Sequence, residues 1–145
     1  MNEVEAVKTR AEIAHVESLL RKHKGDVYGD LWKFGVNTAL RISDLLDLRY
    51  DQLDTEARQF ELVEGKTAKR RTVGLNNGAI GVIEKRRKEW PSDAYLFQTH
   101  SNRTASMISK PLNRSTVARA FSEIGDILKL KLGTHSMRKT RGWAM

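Results

Sequence analysis

Thr38-Ala39-Leu40-Arg41-Ile42-Ser43-Asp44-Leu45-Leu46-Asp47-Leu48 is the stretch on which the reading of this chain turns. Ile42, Leu45, Leu46 and Leu48 recur at the spacing of a short, largely buried helix, and Arg41 stands at its start. Immediately upstream, Val27, Leu31 and Phe34 lie at i, i+4 and i+7, which predicts a second helix running into the Arg41 segment. Further back, Val4, Val7, Ala11, Ala14 and Leu19-Leu20 alternate with Glu and Lys. Residues 3–23 are therefore expected to form an amphipathic helix, ended by Gly25.

Downstream the hydrophobic period changes. Phe60, Leu62 and Val63 form one β-like run and Thr72-Val73-Gly74-Leu75 another, with Gly65-Lys66-Thr67-Ala68-Lys69 as the hairpin connection between them. Residues 78–89 read as a helix with Ile80 and Ile83 turned inward and Lys85, Arg86, Arg87 and Lys88 outward, closed by Pro91. Tyr95-Leu96-Phe97 is a short buried run, and the polar stretch from Gln98 to Asn113 is expected to be a mobile loop. Ser115 is placed to cap a helix in which Val117, Phe121, Ile124 and Leu128 share one face. Gly133 interrupts the chain, and Thr134 is placed to cap a last helix beginning at His135. The expected class is α+β, mainly helical, with a small antiparallel β-sheet packed on a helical bundle.

Composition narrows the function. At 145 residues the chain suits one compact domain, able to bury roughly two thirds of its unfolded surface. It holds no cysteine, so disulfides, thiolate metal sites and cysteine nucleophiles are excluded. There is no apolar run long enough for a membrane span and no signal-peptide pattern, so a cytoplasmic location, at the nucleoid of a bacterium or phage host, is expected. Charge is unevenly spread: residues 1–60 carry 9 Lys or Arg against 11 Asp or Glu, net −2, whereas residues 61–145 carry 17 against 7, net +10. One basic face suited to a polyanion follows, since phosphate contacts supply most sequence-independent affinity for nucleic acid. No aromatic strand of the kind that stacks RNA bases is present, which disfavours an RNA-binding sheet.

Taken singly, the basic residues of interest have ordinary uses. An arginine at 41 can pair with Asp44 or Asp47, a hairpin lysine is commonly solvated, and His135 with Arg138, three residues on, can simply decorate a helix N-terminus. Their ordered combination carries more. The Thr38–Leu48 segment resembles the first arginine box of tyrosine recombinases and phage-type integrases. Gly65-Lys66-Thr67-Ala68-Lys69-Arg70-Arg71-Thr72-Val73-Gly74-Leu75 resembles their lysine-bearing β-hairpin, and Thr134-His135-Ser136-Met137-Arg138-Lys139-Thr140 their H-x-x-R box. The order and separations also match, and the likeness covers nearly the whole chain.

The resemblance implies a catalytic domain for metal-free and cofactor-free phosphoryl transfer on double-stranded DNA, working with other recombinase protomers and away from membranes. A tyrosine attacks the scissile phosphate, a phosphotyrosyl link forms, and the 5′ hydroxyl leaves. It assigns Arg41 and Arg138 to the phosphate oxygens, Lys66 to protonation of the leaving hydroxyl, and His135 to orienting the phosphate or handling the nucleophile's proton. Asp44 would restrain the arginine box, and Lys69, Arg70, Arg71 and Lys139 would contact DNA. The family commonly has Gly where Ala39 stands, Gly at Thr67, Pro at Gly74, and His or Arg at Lys139. The family's tyrosine normally follows the H-x-x-R helix, whereas Tyr28, Tyr50 and Tyr95 all precede it. The chain is thus expected to be a catalytic-domain fragment without its nucleophile and without an N-terminal DNA-clamping domain, inactive alone. The competing expectation is a non-catalytic basic DNA-binding module or a decayed mobile-element protein.

Overall fold

A computed structural model describes residues 7, 9–63, 69–100 and 110–144, with side chains described as far as Thr140. Its elements in chain order are α1 (Arg10–His23), α2 (Asp26–Thr38), α3 (Ile42–Leu46), β1 (Gln59–Val63), β2 (Arg70–Gly74), α4 (Asn77–Glu89), α5 (Arg114–Leu128) and α6 (Ser136–Ala144), with a 3₁₀ turn at Tyr50–Gln52. The class is the expected one: helices dominate, and the described strands form one antiparallel pair.

The helices begin where local chemistry allows. Thr9 caps α1 by accepting the Glu12 N–H, so that helix starts later than residue 3, and Val7 instead lies buried ahead of it. Gly25, at φ 128°, takes a backbone conformation closed to most residues; it ends α1 and opens α2. Asn113, rather than Ser115, caps α5, because its carboxamide reaches the N–H groups of both Ser115 and Thr116. The last helix starts at Ser136, with the His135 carbonyl accepting the Lys139 N–H at 3.2 Å. In the hairpin, Phe60 faces Val73 and Leu62 faces Arg71 in register. Alternate burial along β1 puts Phe60 and Leu62 inward and leaves Glu61 and Val63 outward.

The core lies where α2 is wrapped by α1, α4 and α6, with α5 reaching it through Phe121. Trp32 and Phe34, both fully buried, meet Phe121 and Phe97 edge-on with ring centroids 5.8 and 5.7 Å apart. The Trp32 indole N–H is satisfied by the Ile13 carbonyl at 3.1 Å. The ends of the polar 98–113 stretch are pinned: Thr99 N–H donates to the Lys110 carbonyl, and Leu112 N–H to that of Phe97. The part of that stretch at 101–109 lies outside the described residues.

One expectation for α4 is reversed. Arg86 points inward and is 2% exposed, because it falls four residues after Val82 and three after Ile83, on the face those residues bury. Its Nη1 meets Asp30 Oδ2 at 3.0 Å and its Nε donates to the Leu96 carbonyl at 2.8 Å. Asp30, with no exposure at all, also accepts from Arg21 at 2.9 Å and Lys85 at 3.0 Å. Lys85 additionally pairs with Asp26.

Removing one partner of such a buried pair strands the other charge, so Asp30→Asn is expected to cost about 3 kcal/mol. Asp51→Asn, in the exposed pair with Arg49, should cost less than about 1 kcal/mol. Urea unfolding of both variants checks this. Asp26 supplies a pH signature. Burial pushes its carboxyl up, but hydrogen bonds from Lys85 and Arg21 outweigh that and hold it below its ordinary 3.8. A folded-state pKa below the unfolded one stabilises fully above about 3.8, and the contribution is lost as pH falls through the folded value. Thermal melts below that pH should therefore decline less steeply in Asp26→Asn than in the parent.

Candidate phosphate-binding site

The site is built at the C-terminal end of α2. Thr38 closes the helix by donating its hydroxyl hydrogen to the Phe34 carbonyl at 2.9 Å. Ala39 then turns left-handed, at φ 56° and ψ 31°, its N–H still bonded to the Gly35 carbonyl at 2.8 Å. That reversal lets Leu40 drop into the core and throws Arg41 out to solvent as the residue preceding α3. The Arg41 carbonyl accepts the Leu45 N–H at 2.9 Å, which fixes its backbone to α3.

The same turn receives α6. Arg138 donates its Nε–H to the Ala39 carbonyl at 3.0 Å across a sequence separation of 99 residues. The two arginines of the predicted set are thus tied to one short turn between α2 and α3, Arg41 by its backbone and Arg138 by its guanidinium. His135 is exposed just ahead of α6, one turn before Arg138. The helix is held on its other side as well, because the buried Val7 N–H donates to Thr140 Oγ1 at 2.9 Å.

Charge neutralisation separates this group from the other cations. Arg21, Lys24, Arg49, Lys85 and Arg86 each meet a carboxylate. Among the described residues, no carboxylate lies within ion-pair distance of Arg41, His135 or Arg138, although Arg138 is half-buried. Arg41 is therefore not the partner of Asp44 or Asp47. Asp44 is half-buried on α3, three residues from Arg41, and does have an interaction partner. Guanidiniums that are oriented but not neutralised suit an anion arriving from outside, since they offer paired N–H donors without first breaking an internal salt bridge.

The remaining predicted cations belong to the β1–β2 hairpin and to α6. Lys66 lies outside the described residues, in the connection between β1 and β2. Lys69, Arg70 and Arg71 are exposed at the start of β2, where Arg70 approaches Glu61 at 3.9 Å, and Lys139 is exposed on α6. Asp26, Asp30 and Glu89 gather carboxylate oxygens within 4.8 Å of one another, but Arg21, Lys85 and Arg86 already answer that charge. Two clefts of about 400 and 490 Å³ flank α4 and α3, and neither is lined by Arg41, His135 or Arg138. No helix among the described residues is long and apolar enough to cross a membrane.

Sequence reasoning missed the contacts that meet α6: the Ala39 carbonyl, Thr140 and, where α6 lies on α2, Gly35 against Met137. A glycine inside the apolar helix α2 was the available signal, because such a residue usually marks a close approach.

The bundle and its small sheet have the fold of a tyrosine-recombinase catalytic core. The profile of the phage integrase family matches residues 12–145, and the chain belongs to that family. It is 31% identical over 145 residues to the "Probable integrase/recombinase YoeC" of Bacillus subtilis (strain 168), covering 99% of this chain and 75% of that protein. Its fold matches the XerA recombinase with a TM-score of 0.71 at 16% identity, covering 96% of this chain and 50% of that one. The Tn1549 transposon integrase in complex with a circular intermediate DNA matches with a TM-score of 0.74 at 18% identity, covering 96% and 52%. The chain thus spans about half the length of these solved structures.

Ala39 yields a prediction. Its left-handed conformation is strained for a residue bearing a Cβ, and its functional atom is a backbone carbonyl. Ala39→Gly should stabilise the fold by up to about 1 kcal/mol in urea unfolding while leaving the Arg138 contact in place.

Proposed function

We propose that residues 1–145 form a single catalytic-type domain of a site-specific DNA recombinase, one that grips a scissile phosphate for breakage and rejoining through a phosphotyrosyl intermediate. The observation that carries this is that two arginines from boxes nearly a hundred residues apart, neither meeting a carboxylate among the described residues, are held at the turn around Ala39. Family membership and the basic C-terminal part of the chain support it.

The chemistry follows from charge. As a hydroxyl attacks a phosphodiester, negative charge builds on the nonbridging oxygens, and fixed donors that need no reorganisation stabilise it most. Arg138, with its Nε held, keeps two terminal nitrogens for one oxygen pair, and Arg41 reaches from across the turn. His135 orients the phosphate or takes the nucleophile's proton, and Lys66 protonates the departing 5′ oxygen so that it leaves as a hydroxyl. Asp44 restrains the arginine box. Lys69, Arg70, Arg71 and Lys139 follow the DNA backbone beside it, and further recombinase protomers share the DNA.

The nucleophile is not among this chain's three tyrosines. Tyr50 is 9% exposed, and burial pushes its phenol up to about 12, far from an attacking phenolate. Tyr28 lies near the far end of α2, eleven residues before Ala39, or about 16 Å at the rise of an α-helix. Tyr95 is half-buried with the Arg49 guanidinium over its ring at 5.2 Å.

Two measurements test the proposal. Arg41→Ala and Arg138→Ala should each weaken binding of short duplex DNA roughly tenfold and reduce the dependence of log affinity on log salt by about 1. Arg138→Lys should not restore it, because an ammonium lacks the paired fork. Unchanged affinity and salt slope in both alanine variants would remove the phosphate assignment. Incubated with a nicked substrate, the 145-residue chain should form no covalent DNA adduct, and an adduct would refute the argument about its tyrosines.

A further inference from the structure

Gly35 and Met137 meet where α6 lies on α2. A Cβ placed on Gly35 would fall 2.2 Å from Met137 Sδ and 3.2 Å from both its Cε and Cγ. The thioether therefore occupies the space that any side chain at 35 would need. Met137 has no exposure, so it cannot swing into solvent to make room. Both ends of this contact adjoin the Arg138–Ala39 hydrogen bond. Arg138 follows Met137 directly, and Ala39, whose carbonyl holds the Arg138 Nε–H at 3.0 Å, is one helical turn beyond Gly35 and hydrogen-bonded to it.

We propose that the Gly35–Met137 notch is the positioning element for Arg138, setting how closely α6 approaches α2 and so holding the guanidinium on the Ala39 carbonyl. Gly35 and Met137 touch no substrate in this scheme; they act through Arg138. The consequence for DNA rests on the phosphate reading above, whereas the geometry does not. The physical basis is lever-like. A helix docked by one side chain in a notch has its separation fixed at that point, and a hydrogen bond weakens steeply once its geometry is lost. A methyl group at 35 must move either the thioether or the helix, and the thioether is enclosed.

The test uses the ¹⁵N-labelled 145-residue chain and reads the Arg138 Nε–H resonance, identified by its disappearance in Arg138→Ala. In the parent this proton should exchange slowly with water. Gly35→Ala improves helix propensity and should keep a cooperative melt, yet exchange should accelerate roughly tenfold and duplex-DNA affinity should fall toward that of Arg138→Ala. Adding Met137→Ala removes the obstructing thioether and should return both readouts most of the way to the parent. A purely structural defect would not be reversed by a second truncation of the core. A folded Gly35→Ala with unchanged exchange overturns the proposal, as does a double variant that exchanges as fast as Gly35→Ala alone. Should Gly35→Ala fail to fold, Met137→Leu, close in volume but different in reach, carries the same test: faster exchange supports the notch and unchanged exchange overturns it. Lost protection in Gly35→Ala combined with unaltered DNA affinity in Arg138→Ala would support the positioning and overturn the phosphate reading instead.

Discussion

A carboxylate withdrawn entirely from water, Asp30, is the constraint on which this structure depends. An isolated charge there would be prohibitively costly, so the fold has to bring cations to it. Arg21 comes from α1, Lys85 and Arg86 come from α4, and Arg86 also binds the carbonyl of Leu96. One residue near the start of α2 thereby orients α1, α4 and the segment after α4. The aromatic contacts of Trp32 and Phe34 complete the packing of α2 on α5 and on Phe97. Alternative packings that left Asp30 unpaired are disfavoured by the desolvation of its charge.

With its first half anchored, α2 can carry the functional group at its other end. The left-handed Ala39 redirects the chain, exposes Arg41 and aims a carbonyl at α6. The docking of α6 is likewise determined by packing, through the buried Met137 against the bare backbone of Gly35 and the bond between Thr140 and Val7. Cations inside the fold are neutralised by the fold itself, whereas Arg41 and Arg138 at this junction meet no carboxylate among the described residues. That division of labour makes one end of α2 a structural anchor and leaves the other for the proposed phosphate grip.

Much of the fold was legible in the chain because apolar periodicity reports burial directly. The faces of α2, α3 and α5 and the two strands follow from Val27-Leu31-Phe34, Ile42-Leu45-Leu46, Val117-Phe121-Ile124 and Phe60-Leu62 against Val73. Helix starts were less legible. Several residues near each boundary can cap, and which one does depends on where the preceding chain goes; hence a start behind Thr9 rather than at residue 3, and Asn113 in place of Ser115. The Lys85–Lys88 run misled for a different reason. Charge implied solvent, but helical phase placed Arg86 among Val82 and Ile83, and only the presence of Asp30 across the core makes its burial affordable.

For the site, the sequence by itself determined the residue types, their order along the chain and the basic bias after residue 60, which together name an anion-binding chemistry and a family. Tertiary structure alone decided which of those cations are used up internally and which remain open. It also decided that a neutral carbonyl at Ala39, rather than a charged partner, orients Arg138. The physical reason is that hydrophobic pattern and residue type are local properties. Charge compensation, and the distance at which one helix rests on another, depend on groups tens of residues apart that meet only when the chain has folded.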